Sequence, residues 1–339
     1  SHLKQTTQAN HYLANMSPSA IEVESGKAPK AMDTFLQALP SKNLEPLWSK
    51  MNAMVPPTPN PTAEPALWKY EEMLPHLHLA AKLVPEEDAE RRVLMLVNPK
   101  MKSPHTTDTI YGGLQIVKPG ETAPAHRHIA YACRFIVEGE GFTAVEGQKM
   151  PLVRGDVVVT PTWHWHDHGN ESDAPVIWLD MLNLPLFTYT PVHYAEGYAE
   201  KRYPSTPSDP CEWRHPWAPV QKTLDASTEQ HAIYHYKQKN GAPLSTTLGL
   251  QAERLAPGAS SKETLDSSSF IYHCVEGRGY TTIDSPSKEK VTFEWVSKDT
   301  FAVPAGSKIQ HFNESQEEVA YLVAVNDGPF LDLLGLRHP

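Results

Sequence analysis

Two stretches of short apolar runs stand out in the pattern of hydrophobic and polar residues along the chain. The first starts near residue 92 and contains RVLMLV, GGLQIV, CRFIVEG, GFTAVEG, DVVVTP and VIWLDML. The second ends near residue 326 and contains TTLGLQAERLAPG, SFIYHCVEGRGYTTID, VTFEWV and VAYLVAV. Short runs rich in β-branched residues and bounded by Gly, Pro, Asn or Asp are typical of strands. We therefore expect two all-β regions.

The residues before the first β region show a helical pattern instead. Apolar residues recur at helical spacing in MDTFLQALPSKNLEPLWSKMNAM and in ALWKYEEMLPHLHLAAKLV. Proline should interrupt the first helix at Pro40 and Pro46 and break the second at Pro75, because it lacks an N–H group. Between them, PPTPNPTAEP is a proline-rich connector. We predict an N-terminal extension with helices over residues 1–88, loosely ordered at its polar start.

The two β regions align with each other. VEGEGFTAVEG (137–147) matches VEGRGYTTID (275–284) at an offset of 138, and VVVTPTWHWHDHGN matches TFAVPAGSKIQHFN at an offset of 143. Such a repeat predicts two similar sandwiches or barrels, each of roughly 100 residues. We place the first barrel at residues 89–190, a linker at 191–230 and the second barrel at 231–339.

Composition narrows the classes of partner. Lys and Arg total 30 against 40 Asp and Glu, and the net charge of -10 argues against a nucleic-acid or anionic-membrane surface. No run reaches the length of a membrane span, and the N-terminus lacks the apolar core of a signal peptide. Three cysteines at wide spacings suit free thiols in a reducing compartment. We therefore expect a cytoplasmic protein.

Histidines are concentrated in the first β region. His126 and His128 are two residues apart, so in a strand both side chains point to the same face. That arrangement suits a chelating pair. A third histidine from a distant strand would complete a facial set of ligands that leaves coordination positions open for substrate and dioxygen.

The spacing around these histidines resembles the two cupin motifs, G(X)5HXH…G and G(X)5PXG(X)2H(X)3N. The matching residues are Gly120, His126, His128 and Gly139 in the first motif, and Gly155, Pro161, His166 and Asn170 in the second. The usual glutamate of the first motif is absent, and Trp163 stands where the second motif has glycine. The resemblance implies a three-histidine metal site formed by His126, His128 and His166.

AHRHIAYACRFIVEGEGFTAVEG together with GDVVVTPTWHWHDHGN closely resembles the gentisate 1,2-dioxygenase family of bicupins, which includes salicylate and 1-hydroxy-2-naphthoate dioxygenases. The resemblance implies a mainly β bicupin of two double-stranded β-helix (jelly-roll) barrels with an N-terminal helical segment. It also implies an extradiol-type ring-cleaving enzyme that uses one Fe(II) per chain and dioxygen, converts gentisate to maleylpyruvate, and forms a homo-oligomer, either tetramer or dimer.

The identity of the small aromatic acid stays open at this point. The family commonly reads close to SALRF before the VEG turn, whereas this chain reads AYACRF, which introduces Tyr131 and Cys133 near the ligand strand. Salicylate and 1-hydroxy-2-naphthoate therefore remain alternative substrates. A metal-binding storage or sensor bicupin, and a Mn(II)- or Zn(II)-dependent isomerase or decarboxylase, are the rival functions.

Arg134 lies six residues after His128, and we assign both to one strand, so parity places them on the same face. A charged group that faces a barrel interior needs a partner. Its guanidinium group could pair bidentately with a substrate carboxylate or form an internal ion pair with Glu138 or Asp180. In the family, the matching arginine is associated with the substrate carboxylate.

His168 shares a face with His166 but does not occupy a ligand position, so we expect it to shuttle a proton or to hydrogen-bond a substrate hydroxyl. With Arg134 and Asp180 it completes the predicted catalytic group. Further positions that match the pocket of the family are Tyr111, Gly113, Gln115, Trp178, Arg91 and Arg92. Because Arg91 and Arg92 are adjacent, only one can point inward, and the sequence does not choose between them.

The second β region lacks the histidines at the ligand positions. His126, His128 and His166 align with Thr264, Asp266 and Ile309, while His168 aligns with His311. We therefore predict that the second barrel binds no metal and has a structural role.

Overall fold

The computed structural model describes residues 28–89 and 91–337, and the chain divides into two units after Pro57. The polar start of the predicted N-terminal extension lies outside the described residues. In the first unit, the structure shows α1 (Ala28–Ala38), 3-10 turns at Pro40–Lys42 and Leu47–Ser49, and α2 (Met51–Met54). The predicted helical pattern with interruptions at Pro40 and Pro46 is confirmed.

The second unit begins with a proline-rich connector, strand β1 (Ala66–Trp68), helix α3 (Tyr70–Leu83) and helix α4 (Glu86–Ala89). The predicted break at Pro75 is wrong, because α3 continues through it. Pro75 lies on the exposed side, while Tyr70, Leu77 and Ala81 are buried in the main core. Each full burial of a Leu-sized side chain stabilises by roughly 1.5–3 kcal/mol. The buried face therefore offsets the cost of one interior proline, about 3 kcal/mol.

Two six-stranded sheets form the first barrel. Their strands are β2 (Val93–Met95), β3 (Tyr111–Val117), β4 (Thr122–His128), β5 (Ala132–Glu138), β6 (Gly141–Val145), β7 (Gln148–Leu152), β8 (Val157–Thr160), β9 (His166–Gly169), β10 (Val176–Leu182), β11 (Ala195–Gly197), β12 (Thr206–Pro207) and β13 (Arg214–His215). One sheet has the order β13-β8-β5-β10-β3-β2 and the other β11-β4-β9-β6-β7-β12.

A six-stranded and a four-stranded sheet form the second barrel. Its strands are β14 (His231–His235), β15 (Gly249–Leu255), β16 (Thr264–Leu265), β17 (Phe270–Glu276), β18 (Arg278–Ser285), β19 (Lys288–Val296), β20 (Thr300–Val303), β21 (Lys308–Asn313) and β22 (Ala320–Asn326). The orders are β1-β20-β17-β22-β15-β14 and β16-β21-β18-β19. Strands β3 and β5 match β15 and β17 at the offset of 138, and β8 matches β20 at 143. The predicted pair of similar barrels, mainly β with a helical N-terminal segment, is confirmed.

Both faces of the central strands are buried, which explains their continuous apolar runs. On β10, Ile177, Leu179 and Met181 belong to a core that also contains residues of β15, β17 and β22, so this face packs against the second barrel. Trp178 belongs to a different cluster inside the first barrel. Alternation along the strand therefore separates residues that join the barrels from residues that line the first interior.

Residues 186–225, which include most of the predicted linker, contain regular secondary structure. They contain helix α5 (Leu186–Tyr189), the short strands β11, β12 and β13 at the edges of the first barrel, and helix α6 (Trp217–Asp225). Helix α7 (Gly328–Leu333) follows the last strand. The boundaries assigned to the two barrels and the linker stay predictions.

Two observations bear on the environment of the protein. Among the helices in the described ranges, none is long and apolar enough to cross a membrane. Cys133, Cys211 and Cys274 are all free and buried.

Candidate active site

Two neighbouring strands of the first barrel bring three histidines together. His126 and His128 lie on β4, and His166 on β9 is the direct pairing partner of His126. The ring centroids are 4.1 Å apart for His126 and His166, 4.9 Å for His128 and His166, and 5.2 Å for His126 and His128. Within the described part of the chain, these are the residues whose ligand atoms form a group that could hold a metal ion, all within 4.8 Å of one another.

Backbone carbonyls orient the three imidazole rings. The Nδ1 atom lies 3.1 Å from the Pro124 oxygen in His126, 2.8 Å from the Ala130 oxygen in His128, and 2.9 Å from the His164 oxygen in His166. A carbonyl oxygen only accepts, so Nδ1 of His128 and Nδ1 of His166 carry the ring proton and their Nε2 atoms keep the lone pair. The buried Nε2 of His166 has no hydrogen-bond partner in the described structure. Three imidazole nitrogens suit a divalent transition metal.

The site also keeps these rings neutral. Burial lowers the pKa of His126 to about 2, helped by the Arg91 guanidinium group. Burial lowers the pKa of His128 to about 4, with a further contribution from Arg134, and it holds the pKa of His166 well below its usual range. A histidine binds a metal through the lone pair of its neutral ring. These histidines therefore need not release a proton before they bind a metal at neutral pH.

Arg91 and Arg92 point in different directions. A guanidinium nitrogen of Arg91 contacts His126 Nδ1 and lies 3.4 Å from the Pro124 oxygen. Arg92 is paired with Glu121, with both N···O distances at 2.5 Å. Of the two predicted arginines, Arg91 is therefore the one beside the histidine cluster.

Arg134 is buried in an ion pair. Its Nε lies 2.9 Å from Asp180 Oδ1, and Nη1 donates to Thr160 Oγ1 at 2.7 Å. Arg134 and Asp180 are direct neighbours across β5 and β10. The assignment of Arg134 to the strand of His128 is wrong, because β4 ends at His128 and β5 begins at Ala132. A bend at residues 129–130 separates the two strands, which lie in different sheets.

His168 is fully buried beside the three histidines. Its ring centroid lies 5.6 Å from that of His166 and 5.3 Å from that of Trp178. Its Nδ1 is 2.8 Å from Thr143 Oγ1, and its Nε2 has no partner in the described part of the chain. Burial, followed by the charge of Arg134, lowers the pKa of His168 well below the usual value. The ring is therefore neutral and has one nitrogen available.

Strand β3 provides a third wall next to β10. Asp180 pairs with Gly113 and Trp178 pairs with Gln115. At Gly113 an added Cβ would lie 2.6 Å from the Tyr111 hydroxyl oxygen, so a larger residue would require the Tyr111 side chain to move. Burial and the nearby Asp180 carboxylate raise the pKa of Tyr111. Gln115 is buried, and its Nε2 lacks a partner among the residues described.

The other departures from the family pattern have structural explanations. Tyr131 and Cys133 belong to the core between the barrels and not to the interior of the first barrel. Trp163 adopts φ 64°, the left-handed conformation for which glycine is favoured, and its counterpart Gly306 has φ 70°. The strain at Trp163 is offset by Arg127, whose guanidinium carbon lies 4.4 Å from the ring centroid, and by Tyr194 at 4.6 Å.

Sequence reasoning missed two residues that hold the polar groups in place, Thr143 and Thr160. Thr143 could have been found, because the internal repeat aligns VEGEGFT with VEGRGYT and the Thr–His pair recurs as Thr281 and His311. Thr160 gave no comparable signal, because it ends a strand among other β-branched residues.

Comparisons with known proteins agree with this geometry. The cupin domain family matches residues 113–182. The chain is 32% identical to gentisate 1,2-dioxygenase of Ralstonia sp, over 92% of this chain and 95% of that protein. It is 30% identical to 5-aminosalicylate 1,2-dioxygenase of Comamonas sp, over 91% of both. Salicylate 1,2-dioxygenase of Pseudoaminobacter salicylatoxidans, solved as adducts with gentisate, shares the fold with a TM-score of 0.83, 24% identity and coverage of 96% of this chain and 97% of that chain.

Proposed function

The chain belongs to the gentisate 1,2-dioxygenase family and is a ring-cleaving dioxygenase, and we propose that it converts gentisate to maleylpyruvate with Fe(II) held by His126, His128 and His166. The observation that carries this proposal is the set of three neutral histidines whose ligand atoms lie in one cluster, close to the guanidinium groups of Arg91 and Arg134. Both atoms of dioxygen would enter the product.

The donor set fits Fe(II). Three neutral imidazoles leave coordination positions open, which is the pattern of non-haem iron sites that bind both a substrate and dioxygen. When bound, the metal would supply Lewis acidity and bring the aromatic acid and dioxygen together. The protein's part is to orient the three rings through their Nδ1 hydrogen bonds and to place charged groups around the substrate.

Arg134 is proposed to anchor the carboxylate of the substrate. Its guanidinium group has five N–H donors, and Asp180 and Thr160 engage two nitrogens, so further donors remain for a carboxylate. Asp180 acts as a positioning residue, because it fixes the guanidinium plane. Arg91 adds a second positive charge beside His126. Two guanidinium groups and one carboxylate leave this end of the site suited to an anion.

His168 is proposed to take the phenolic proton of the substrate. If Nδ1–H donates to Thr143 Oγ1, Nε2 carries the lone pair and can accept a proton. The ring is neutral at physiological pH, as a base must be before it reacts. Tyr111, Gln115 and Trp178 are proposed to contact the ring of the substrate, because they line the same wall.

Gentisate is favoured among the possible substrates because the residues that set this chain apart, Tyr131 and Cys133, face away from the site. Steady-state oxygen uptake by the iron-loaded enzyme with gentisate, salicylate and 1-hydroxy-2-naphthoate, with the absorbance of each product, tests the proposal. We expect the highest kcat/KM with gentisate. Absence of oxygen uptake with all three compounds would overturn the ring-cleavage proposal. A higher kcat/KM with salicylate or the naphthoate would identify that compound as the substrate in place of gentisate.

The same assay separates the rival functions. A storage or sensor bicupin would bind the metal without consuming oxygen. A Mn(II)- or Zn(II)-dependent isomerase or decarboxylase would turn over without oxygen. Oxygen uptake that depends on Fe(II) excludes both.

We also propose that the protein acts in the cytoplasm as a homo-oligomer, either a dimer or a tetramer. Three free, buried cysteines fit a reducing compartment. In the first unit, apolar side chains are exposed, including Met32 at 50%, Phe35 at 48% and Trp48 at 66%. Exposed apolar clusters of this kind are typical of interfaces. Sedimentation velocity of the full chain tests the oligomer, and a monomer at micromolar concentration would contradict it.

A further inference from the structure

The second barrel contains an interior cavity of about 210 Å³. Polar groups from its strands converge there, including Gln251 and Glu253 on β15, Tyr272 on β17 and His311 on β21. Apolar side chains such as Phe270 and Ile309 also line it, and Lys262 and Asp266 add one charge of each sign to the lining. The volume lies below the roughly 300–1,000 Å³ typical of pockets for drug-sized ligands, so it suits a compound with a single ring.

The cavity is the counterpart of the active site, with different charged side chains at the aligned positions. At the offset of 138, Gln115 aligns with Glu253 and Arg134 aligns with Tyr272. Counted from the strand pairing, His231 replaces Arg91, because Val93 pairs with Gln115 and Ile233 pairs with Glu253. The two guanidinium groups that suit a carboxylate ligand in the first barrel therefore have no counterpart at the aligned positions. The second barrel instead has the carboxylate of Glu253 at the position of Gln115.

Glu253 is a buried anion held by its neighbours. Its Oε2 lies 2.6 Å from His231 Nε2, its Oε1 accepts from Gln251 Nε2 at 2.7 Å, and the Tyr272 hydroxyl hydrogen-bonds to it. Burial alone would raise the pKa of Glu253, but the bond from His231 and the other neighbours lower it to about 2. A carboxylate has about four acceptor positions, so one remains for a ligand donor.

His311 presents an unsatisfied donor to the same cavity. Trp295 Nε1 donates to Thr281 Oγ1 at 2.9 Å, which leaves the hydroxyl proton of Thr281 for His311 Nδ1 at 2.7 Å. Nδ1 is thus an acceptor, and the proton of the neutral ring is on Nε2. Burial lowers the pKa of His311 to about 4. The side chain is 2% exposed, and its Nε2 has no partner in the described residues.

We propose that the second barrel binds an uncharged phenol, whose hydroxyl group accepts from His311 Nε2 and donates to Glu253 while its ring packs against Phe270 and Tyr272. A hydroxyl group satisfies both protein groups at once because it is a donor and an acceptor. The Phe270 and Tyr272 rings are stacked on each other at 5.5 Å, and both line the cavity, so they provide aromatic surface for the ring of the ligand. The Glu253 carboxylate repels aromatic acids, so the cavity discriminates against the kind of molecule that the first barrel takes.

Isothermal titration of the iron-loaded full chain with phenol, and separately with benzoate, tests the proposal. His311→Asn and His311→Gln form a matched pair of variants. The asparagine amide can replace Nδ1 and satisfy Thr281, but it removes the donor at the Nε2 position. The glutamine amide reaches that position and restores a donor. Thermal unfolding of both variants checks that the barrel remains folded.

We expect phenol to bind the parent, His311→Gln to stay within a few-fold of it, and His311→Asn to bind about tenfold more weakly, the value of one buried hydrogen bond. Benzoate can bind in the first barrel, so its affinity should be the same in the parent and in both variants. Equal phenol affinity in the parent and the Asn variant, no phenol binding to the parent, or a benzoate affinity that falls in the Asn variant would each overturn the proposal.

Discussion

Histidines in equivalent surroundings can have different tasks, and their nitrogen partners decide which. His126, His128 and His166 bond to carbonyl oxygens through Nδ1, whereas His168 bonds to the Thr143 hydroxyl. A carbonyl fixes the tautomer that a metal ligand needs, while a hydroxyl group permits either one. The hydrogen-bond partners therefore separate three ligands from one proton acceptor.

Replacing His168 should slow the reaction without removing the metal. We expect His168→Ala to retain iron and to lose at least about a hundredfold in kcat, the usual range for a general base. His166→Ala, the neighbouring control, should lose iron altogether. Iron analysis and oxygen uptake on the same samples check both, and loss of iron from His168→Ala would make His168 a ligand.

Asp180 should matter for stability as well as for rate. Asp180→Asn leaves the buried guanidinium group of Arg134 without its ion pair, and breaking such a pair costs roughly 3 kcal/mol. The control is Glu196→Gln, which breaks the exposed pair with Arg127 and should cost less than about 1 kcal/mol. Urea unfolding measures both. Equal losses in the two variants would show that burial of the Arg134 pair has no energetic consequence.

At the scale of elements, the long strands were predictable from the sequence and the short ones were not. Strands such as β10 carry apolar residues on both faces, since one face packs inside the barrel and the other against the second barrel. Strands β11, β12 and β13 have two or three residues each, too few for any periodicity.

The candidate site was predictable only in part, for the same kind of reason. The histidine cluster follows from motif spacing and alternation, and the structure brings its members together. The partner of Arg134 depends on which strand pairs with β5, and the pattern of residues along β5 does not predict that strand. The bend between His128 and Ala132 was hidden because the residues on both sides of it have strand character.

Helix α3 tolerates Pro75 through its packed face, so removing the proline should stabilise it. Pro75→Ala restores an N–H group that can donate to the carbonyl oxygen of residue 71. The unfolded chain also gains conformational entropy, which offsets part of this effect, so we expect the free energy of unfolding to rise by about 1 kcal/mol. Pro219→Ala is the control, because Pro219 lies in the first turn of α6, where no such bond is missing. Urea unfolding of both variants measures this, and a loss at Pro75 would contradict the account.

At the scale of the whole molecule, buried neutral histidines make stability depend on pH. Burial lowers the pKa of His311 to about 4 and that of His273 to about 3. The unfolded chain takes up protons first as the pH falls below about 6.5, so stability is lost from there down to the folded pKa.

The contribution of His311 can be isolated with the Asn variant. Between about pH 7.5 and pH 5, the metal-free parent should lose about 2 kcal/mol more than His311→Asn in urea unfolding. His311→Gln serves as a second variant without a titrating ring and should behave like the Asn variant. Equal slopes in parent and variants would mean that His311 is not held neutral by burial.

The two barrels share one architecture and differ in the side chains that face the interior. The first has three histidines and two arginines around the proposed metal site, and the second has Thr264, Asp266 and Ile309 at the aligned ligand positions. The account therefore assigns the oxygen chemistry to the first barrel alone.

Iron content per chain after anaerobic loading with Fe(II) and removal of the excess tests this claim most directly. We predict a single iron in the parent and in His311→Asn, and none in His166→Ala. Two irons in the parent, or iron retained by His166→Ala, would contradict it.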